Sequence, residues 1–300
     1  MEFQKFYILF CTEYHPELDK IELLPDDEIS IYKSLLRSEN WIITLGRYDI
    51  AYATNTLSRY SMAPRKGHMK AMHRIFGYLR NKYKGQLLID VNQPPVRDTI
   101  DTTVMPDWSK FYPDAVENIP KDRPEPKGKL CTITCYVDAD HARDMVTRRS
   151  VSGILLLLNN TPVQWQSKHQ KTVESATYGS EMVASRIAVE MIISIRYFLF
   201  MLGINVEPSS VLVGDNMAVV LNTTIPSSAL KKKHQACIYH KIRERIAAGF
   251  IRYGHIRSKE NVADLLTKPL VRSVFERLCS KYLFRKAKTT QGSVDKEDEE

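Results

Sequence analysis

CTITCYVDADHARDMVTRRSVSGILLLLNNTPVQWQSKHQKTVESATYGSEMVA, residues 131–184, holds the pattern that decides the fold. Three of its runs, CTITCYVDAD, VSGILLLLN and TPVQWQS, are rich in the residues that suit a pleated, half-buried surface and predict three strands. Turn residues Asn159, Asn160, Thr161 and Pro162 join the last two. A long helix is predicted from about Thr177 to Leu202, with Val183, Ile187, Met191, Ile195, Leu199 and Leu202 on one face and Gly203 as its cap. Further on, VLVGD predicts a short buried strand and FIRYGHI a fifth one. Between them a basic helix runs from about Lys231 to Ala248 and ends at Gly249, and NVADLLTK opens another helix. Three strands, a helix, a strand, a helix, a strand and a helix define an α/β domain, placed at residues 130–285.

Upstream the texture differs. Tyr32, Leu35 and Leu36, then Ile50, Ala53, Leu57 and Tyr60, then Met69, Met72, Ile75, Phe76 and Leu79 recur at helical spacing, with Pro64 at a helix boundary. Residues 1–92 are therefore expected to be a helical segment. Seven of the 14 prolines lie between Pro94 and Pro126, where apolar periodicity vanishes, so 93–129 is expected to be an extended or irregular linker. The end of the chain, 286–300, closes on DKEDEE and is expected to be disordered.

With 43% hydrophobic and 26% charged residues, the 300-residue chain has enough apolar material for a packed core, which excludes a wholly disordered protein. Its net charge of +8 and pI near 9.1 favour a polyanionic partner. Five cysteines without regular spacing do not form a disulfide framework. Cys131 and Cys135, about 13 Å apart along a strand, are too distant to bridge. A reducing, intracellular compartment, cytoplasm or nucleus, is the expectation. No signal peptide is expected from MEFQKFYILF, and MIISIRYFLFMLGI (191–204), interrupted by Arg196, is too short to span a membrane.

Four acids occupy telling places: Asp138 near the end of the first strand, Glu181 in the first turns of the long helix, Asp215 at the end of the fourth strand, and Asp264 after the fifth. Open sheets bind ligands at such strand ends. Clustered carboxylates repel unless cations lie between them, and oxygen-only ligands suit magnesium or manganese. Each acid taken singly is more often a cap or a solvated residue than a ligand. Asp140, two residues from Asp138 on the same strand face, is as good a first ligand by pattern alone.

The segment YVDADHARDMVTRRSVSGILLLLNNTPVQWQSKHQKTVESATYGSEMVA resembles the ribonuclease H of copia-type retrotransposons. The resemblance rests on the aspartate-rich strand, the basic stretch, Ser150-Val151-Ser152-Gly153, Trp165 and the run Ser167 to Val173. It continues through VGDNMAVVLN, KKKHQACIYHKIRERIAAG and NVADLLTKPL. It implies a ribonuclease H-like mixed five-stranded sheet flanked by helices, and two-metal hydrolysis of the RNA strand in RNA–DNA hybrids. Carried over position by position, the metal ligands are Asp138, Glu181, Asp215 and Asp264, with Mg2+ or Mn2+ as cofactor. The family often has a second glutamate where this chain has Gly179. His255, nine residues before Asp264 in GHIRSKENVAD, resembles the histidine that assists proton transfer or product release.

YKSLLRSENWIITLGRYDIAYATNTLSRYSMAPRKGHMKAMHRIFGYLR resembles the helical segment connecting a copia polymerase to its ribonuclease H, with Tyr48 in place of a usual proline and Arg37 in place of a usual glycine. The implied partner is the polymerase core of the same polyprotein. No Tyr-x-Asp-Asp-type motif is present, so DNA synthesis by this chain alone is not expected. Arg148, Arg149, Lys168, Lys171, Lys232 and Lys233 are candidates to hold the phosphates of a hybrid. His234, Cys237 and His240 do not suit zinc, because the third residue of an i, i+3, i+6 helical set rotates away from the first. The alternative from another class is a truncated, non-catalytic retroelement remnant that at most binds nucleic acid.

Overall fold

Pro25 followed by Asp26, Asp27 and Glu28 starts the first helix, three acids meeting the positive end of its dipole. In this computed structural model, which describes residues 10, 13–99, 106–230 and 232–283, α1 (Asp26–Thr44), α2 (Ala51–Ser58) and α3 (Lys66–Asn81) form the N-terminal part. Strands β1 (Lys127–Cys131), β2 (Ile133–Asp140), β3 (Val151–Leu158) and β4 (Thr161–His169) follow, then the long helix α4 (Thr177–Met201). The chain continues through β5 (Ile204–Val206), β6 (Ser210–Gly214), α5 (Met217–Thr224), α6 (Ala236–Ala247), β7 (Ile251–His255) and α7 (Arg272–Cys279).

Five strands make a mixed sheet in the order β4-β3-β2-β6-β7. β2, β3 and β4 pair antiparallel, while β6 lies parallel to β2 and β7 parallel to β6. This is the ribonuclease H-like architecture expected from the motifs. Helices cover both faces, which is why β2 and β3 are apolar and buried almost throughout. Alternation along β2 divides the core. Cys135, Val137 and Ala139 pack with Met182, Ala188, Val189 and Ile192 of α4 and Ile242 of α6. Tyr136 faces the other way, into a cluster shared with Leu266, Leu283 and the N-terminal helices through Tyr32, Leu57, Met72 and Ile75. The Tyr48 and Trp165 rings, 5.6 Å apart, join the N-terminal part to β4.

Several elements differ from the sequence reading. The first strand does not begin at Cys131, which closes β1 and pairs beside Val206 in a separate two-stranded parallel sheet. β1 is mostly exposed KGKLC and β5 only three residues long, so neither carries an alternation signal. The basic helix starts at Ala236 after a 3-10 turn at Lys233–Gln235, and Lys231 lies outside the described residues. NVADLLTK opens no α-helix: Val262–Leu266 is a 3-10 turn, stopped before Pro269, and α7 begins at Arg272. The proline-rich stretch is irregular where described, yet it is docked. Trp108 lies under the Arg243 guanidinium at 4.7 Å, and Glu117 pairs with buried Arg196 at 2.5 and 2.7 Å. The acidic end, 286–300, lies outside the described residues. Among the described residues no helix is long and apolar enough to cross a membrane, and Cys131, Cys135, Cys237 and Cys279 are free.

Candidate active site

Strand direction puts the acids together. β2 and β6 are parallel, with Tyr136 beside Val213, so Asp138 and the residue after β6, Asp215, leave the sheet at the same end. His255, at the end of β7, sits beside Gly214 in the register. The turn carrying Asp264 reaches this end through Asn261. Its buried amide donates to the Val137 carbonyl at 2.9 Å and accepts from the Ala263 N–H at 3.1 Å. Gly153, opposite Asp138 in the β2–β3 register, makes the approach possible. A Cβ there would lie 2.5 Å from Thr267 Cγ2 and 2.8 Å from the Ala263 carbonyl oxygen.

Oxygens of Asp138, Asp215 and Asp264 lie within 4.8 Å of one another. Asp138 and Asp264 are buried and Asp215 partly so. Glu181, also buried, is not one of these three, but it stands near enough for Asp138 and Asp215 to act on it electrostatically. Burial first, then these two neighbours, pushes its carboxyl well up, against the opposing effect of the Ala139 N–H that it accepts. Burial and Asp138 likewise push Asp264 up to about 7. Asp215 is raised by the same causes, partly opposed by the Ser258 hydroxyl. Asp140, which the pattern could not separate from Asp138, stays outside the trio. It is half-exposed, and burial raises it to about 6 while Arg143 draws it down.

An all-oxygen set with this crowding fits a divalent cation of the magnesium or manganese kind. Asp264 Oδ1 supports the fit. It is buried, and its one close partner is the Lys268 ammonium at 2.8 Å, a cation already drawn to the position.

Of the remaining expected residues, His255 donates from Nε2 to the backbone carbonyl of Asp215 at 3.1 Å, so its ring borders the trio without touching a carboxylate. Arg148 and Arg149 lie on the loop entering β3, and Lys168 and Lys171 at the end of β4, all exposed and at the acids' end of the sheet. That loop is held by Asp144, which accepts from the N–H groups of Val146 and Thr147 and from the Arg59 guanidinium of the N-terminal part. Lys232 reaches Ser175 Oγ at 3.3 Å, just before α4, and Lys233 is exposed beside it. His234 and His240 do not converge on Cys237: the first meets Glu174 and the second Tyr112.

Three features escaped the sequence reading. Thr267 donates its hydroxyl to Asp138 Oδ2, and Lys268 pairs with both Asp264 and Asp138. The four-residue spacing of Asp264 and Lys268 was the available signal. Gly179, where the resemblance leads one to expect a glutamate, leaves room for Glu174. A Cβ there would lie 2.6 Å from Gln235 Nε2, which donates to the Glu174 carboxylate at 2.9 Å.

No family model matches the chain. It is 28% identical over 251 residues, 83% of its length, to the retrovirus-related Pol polyprotein from transposon RE1 of Arabidopsis thaliana. It is likewise 28% identical over 248 residues to that from transposon TNT 1-94 of Nicotiana tabacum. The chain spans only 14% and 16% of these relatives. Superposition on ribonuclease H1 of the archaeon Halobacterium salinarum NRC-1 covers 45% of this chain and 94% of that one, at 16% identity and a TM-score of 0.36. Over most of its length, then, the chain is a relative of the retrovirus-related Pol polyproteins of transposons, as its motifs imply.

Proposed function

We propose that the chain is a retrotransposon-type ribonuclease H that hydrolyses the RNA strand of RNA–DNA hybrids. The observation that carries this reading is the meeting of Asp138, Asp215 and Asp264, far apart in sequence, within 4.8 Å at the end of the sheet. Asp138, Glu181 and Asp215 would hold divalent ions, Mg2+ or Mn2+, and Asp264 would complete the set. A pair of such ions supplies water activation and charge stabilisation at the leaving oxygen. Thr267 fixes the Asp138 carboxylate, and Asn261 fixes the turn bearing Asp264. His255, anchored on Asp215, stands where it could carry a proton to or from the reacting groups.

Arg148, Arg149, Lys168, Lys171, Lys232 and Lys233 would grip phosphates, while duplex shape and 2′-hydroxyl contacts would select the hybrid. The helical N-terminal part, linked to the loop of Arg148 and Arg149 by Arg59 and Asp144, would face the polymerase core of a longer polyprotein.

The test is magnesium-dependent cleavage of an end-labelled RNA–DNA duplex by the full chain, against Asp138→Asn/Asp215→Asn. Both amides preserve side-chain shape. Cleavage at the parent rate by the double variant would end the assignment. Hybrid binding in calcium without later cleavage in magnesium would favour the non-catalytic nucleic-acid binder instead.

A further inference from the structure

Lys268 is the residue of the carboxylate cluster that the proposed chemistry leaves without a task. Its backbone N–H donates to the Asp264 carbonyl at 3.3 Å, so the turn itself aims the side chain back over Asp264. The ammonium stands 2.8 Å from Asp264 Oδ1 and 3.5 Å from Asp138 Oδ2. Those two carboxylates supply two of the three mutually close oxygen sets. A magnesium ion binds carboxylate oxygens at about 2.1 Å. An ion bridging Asp138 and Asp264 would therefore enter the space that the ammonium fills, and like charges at such range repel strongly where water is scarce. The side chain is partly buried, 31% exposed.

Lys268 is not needed to hold Asp138 in place, because the Thr267 hydroxyl does so independently, and the turn is pinned by Asn261. Its position is that of a tethered cation sharing the ligands of a diffusible one.

We propose that Lys268 is an internal competitor for the divalent cation: its ammonium occupies Asp264 and Asp138 until the ion displaces it, and so sets how much free ion the site requires. This rests on the reading of the carboxylates as a cation site. A purely structural role, bolting the turn to β2, would change stability when Lys268 is altered but would not weaken ion binding through its charge.

The experiment is a calorimetric titration of the full chain with Mn2+, comparing the parent with Lys268→Gln, Lys268→Arg and Asp264→Asn, with circular dichroism and melting recorded for each. Lys268→Met, which keeps the apolar stem, replaces Lys268→Gln if the latter does not fold. The expected result is about tenfold or more tighter Mn2+ binding by the neutral variant. Lys268→Arg, retaining the charge, should stay within about threefold of the parent, and Asp264→Asn should bind more weakly. If the parent binds Mn2+ and the neutral variant binds it equally or less tightly, competition by Lys268 is refuted while the cation site stands. If neither binds Mn2+, the cation site itself fails and the inference with it.

Discussion

Replacing Gly153 by alanine tests the contact on which the site's assembly depends. The added methyl would meet Thr267 Cγ2 at 2.5 Å, the Ala263 carbonyl oxygen at 2.8 Å and Leu266 Cβ at 2.9 Å. Comfortable carbon contacts begin near 3.5 Å, so the turn must retreat by about 1 Å. Rotamer changes cannot relieve this, because a backbone oxygen and a Cβ are among the three atoms. Overpacking of this kind costs about 1–3 kcal/mol, which at ~2–4 °C per kcal/mol lowers the melting temperature by about 2–12 °C. The same retreat moves Asp264, Thr267 and Lys268 away from Asp138, and a displacement of about 1 Å in a catalytic constellation can lower the rate about a hundredfold. Melting by circular dichroism and hybrid cleavage measured well below the transition read the two effects separately. A Gly153→Ala protein that melts within about 1 °C of the parent and cuts within about twofold of its rate would show that the turn does not rest on β3 as described.

Asn261→Ala removes two hydrogen bonds made by a buried side chain, so we expect about 1–3 kcal/mol of destabilisation in urea titrations and weaker cleavage. Glu117→Ala strips buried Arg196 of its carboxylate and should destabilise by about 3–5 kcal/mol; a loss under about 1 kcal/mol would mean that the carbonyls of Glu207 and Pro208 suffice for it. Burial holds Glu39 up at about 8, only partly opposed by the neighbouring Thr54 hydroxyl. Because this value lies above the ordinary 4.5, its contribution to stability is complete below pH 4.5, falls as pH rises and is gone above about 8. Glu39→Gln should therefore flatten the decline in denaturation midpoint between pH 5 and pH 9, and an unchanged slope would refute the assignment.

What could be read from the sequence follows from how strongly each element is constrained. β2 and β3 are central strands with both faces covered, so their apolar runs are long. α4 is as long as expected, but the stripe it buries runs through Ala188, Val189, Ile192 and Leu199, while Ile187, Met191 and Ile195 are only partly buried and Leu202 is exposed. β1 and β5 are held by backbone pairing and by the chain around them, which leaves no periodic trace in side chains. The acids were visible as residues at element ends, and Asp138 and Asp215 were expected side by side only if the strands bearing them were neighbours; β2, β6 and β7 are adjacent and parallel, which meets that condition. Asp138 and Asp140 share a strand face, and alternation could not rank them. They differ because two residues of strand rise, about 7 Å, carry Asp140 past the end of β6 toward Arg143. The turn at Val262–Leu266 looked helical because a 3-10 turn and the first turn of an α-helix share the same short pattern.

Four carboxylates around one ammonium form an arrangement that folding alone disfavours. Each buried charge loses hydration worth several kcal/mol unless it is paired. Here Lys268 supplies one positive charge, while the Thr267 hydroxyl and the Ala139 N–H supply hydrogen bonds to Asp138 and Glu181. The remaining demand appears as raised proton affinity at Glu181, Asp215 and Asp264. Amides or apolar residues of similar size would relieve that demand at every one of these positions. A chain that nevertheless buries three of these acids and half-buries Asp215 at one sheet end, and needs a glycine in β3 and a buried asparagine to bring the last of them in, is spending stability on negative charge. That supports a site whose use of the charge outweighs its cost to the fold, and a ligand set of oxygens alone directs such a use toward divalent cations.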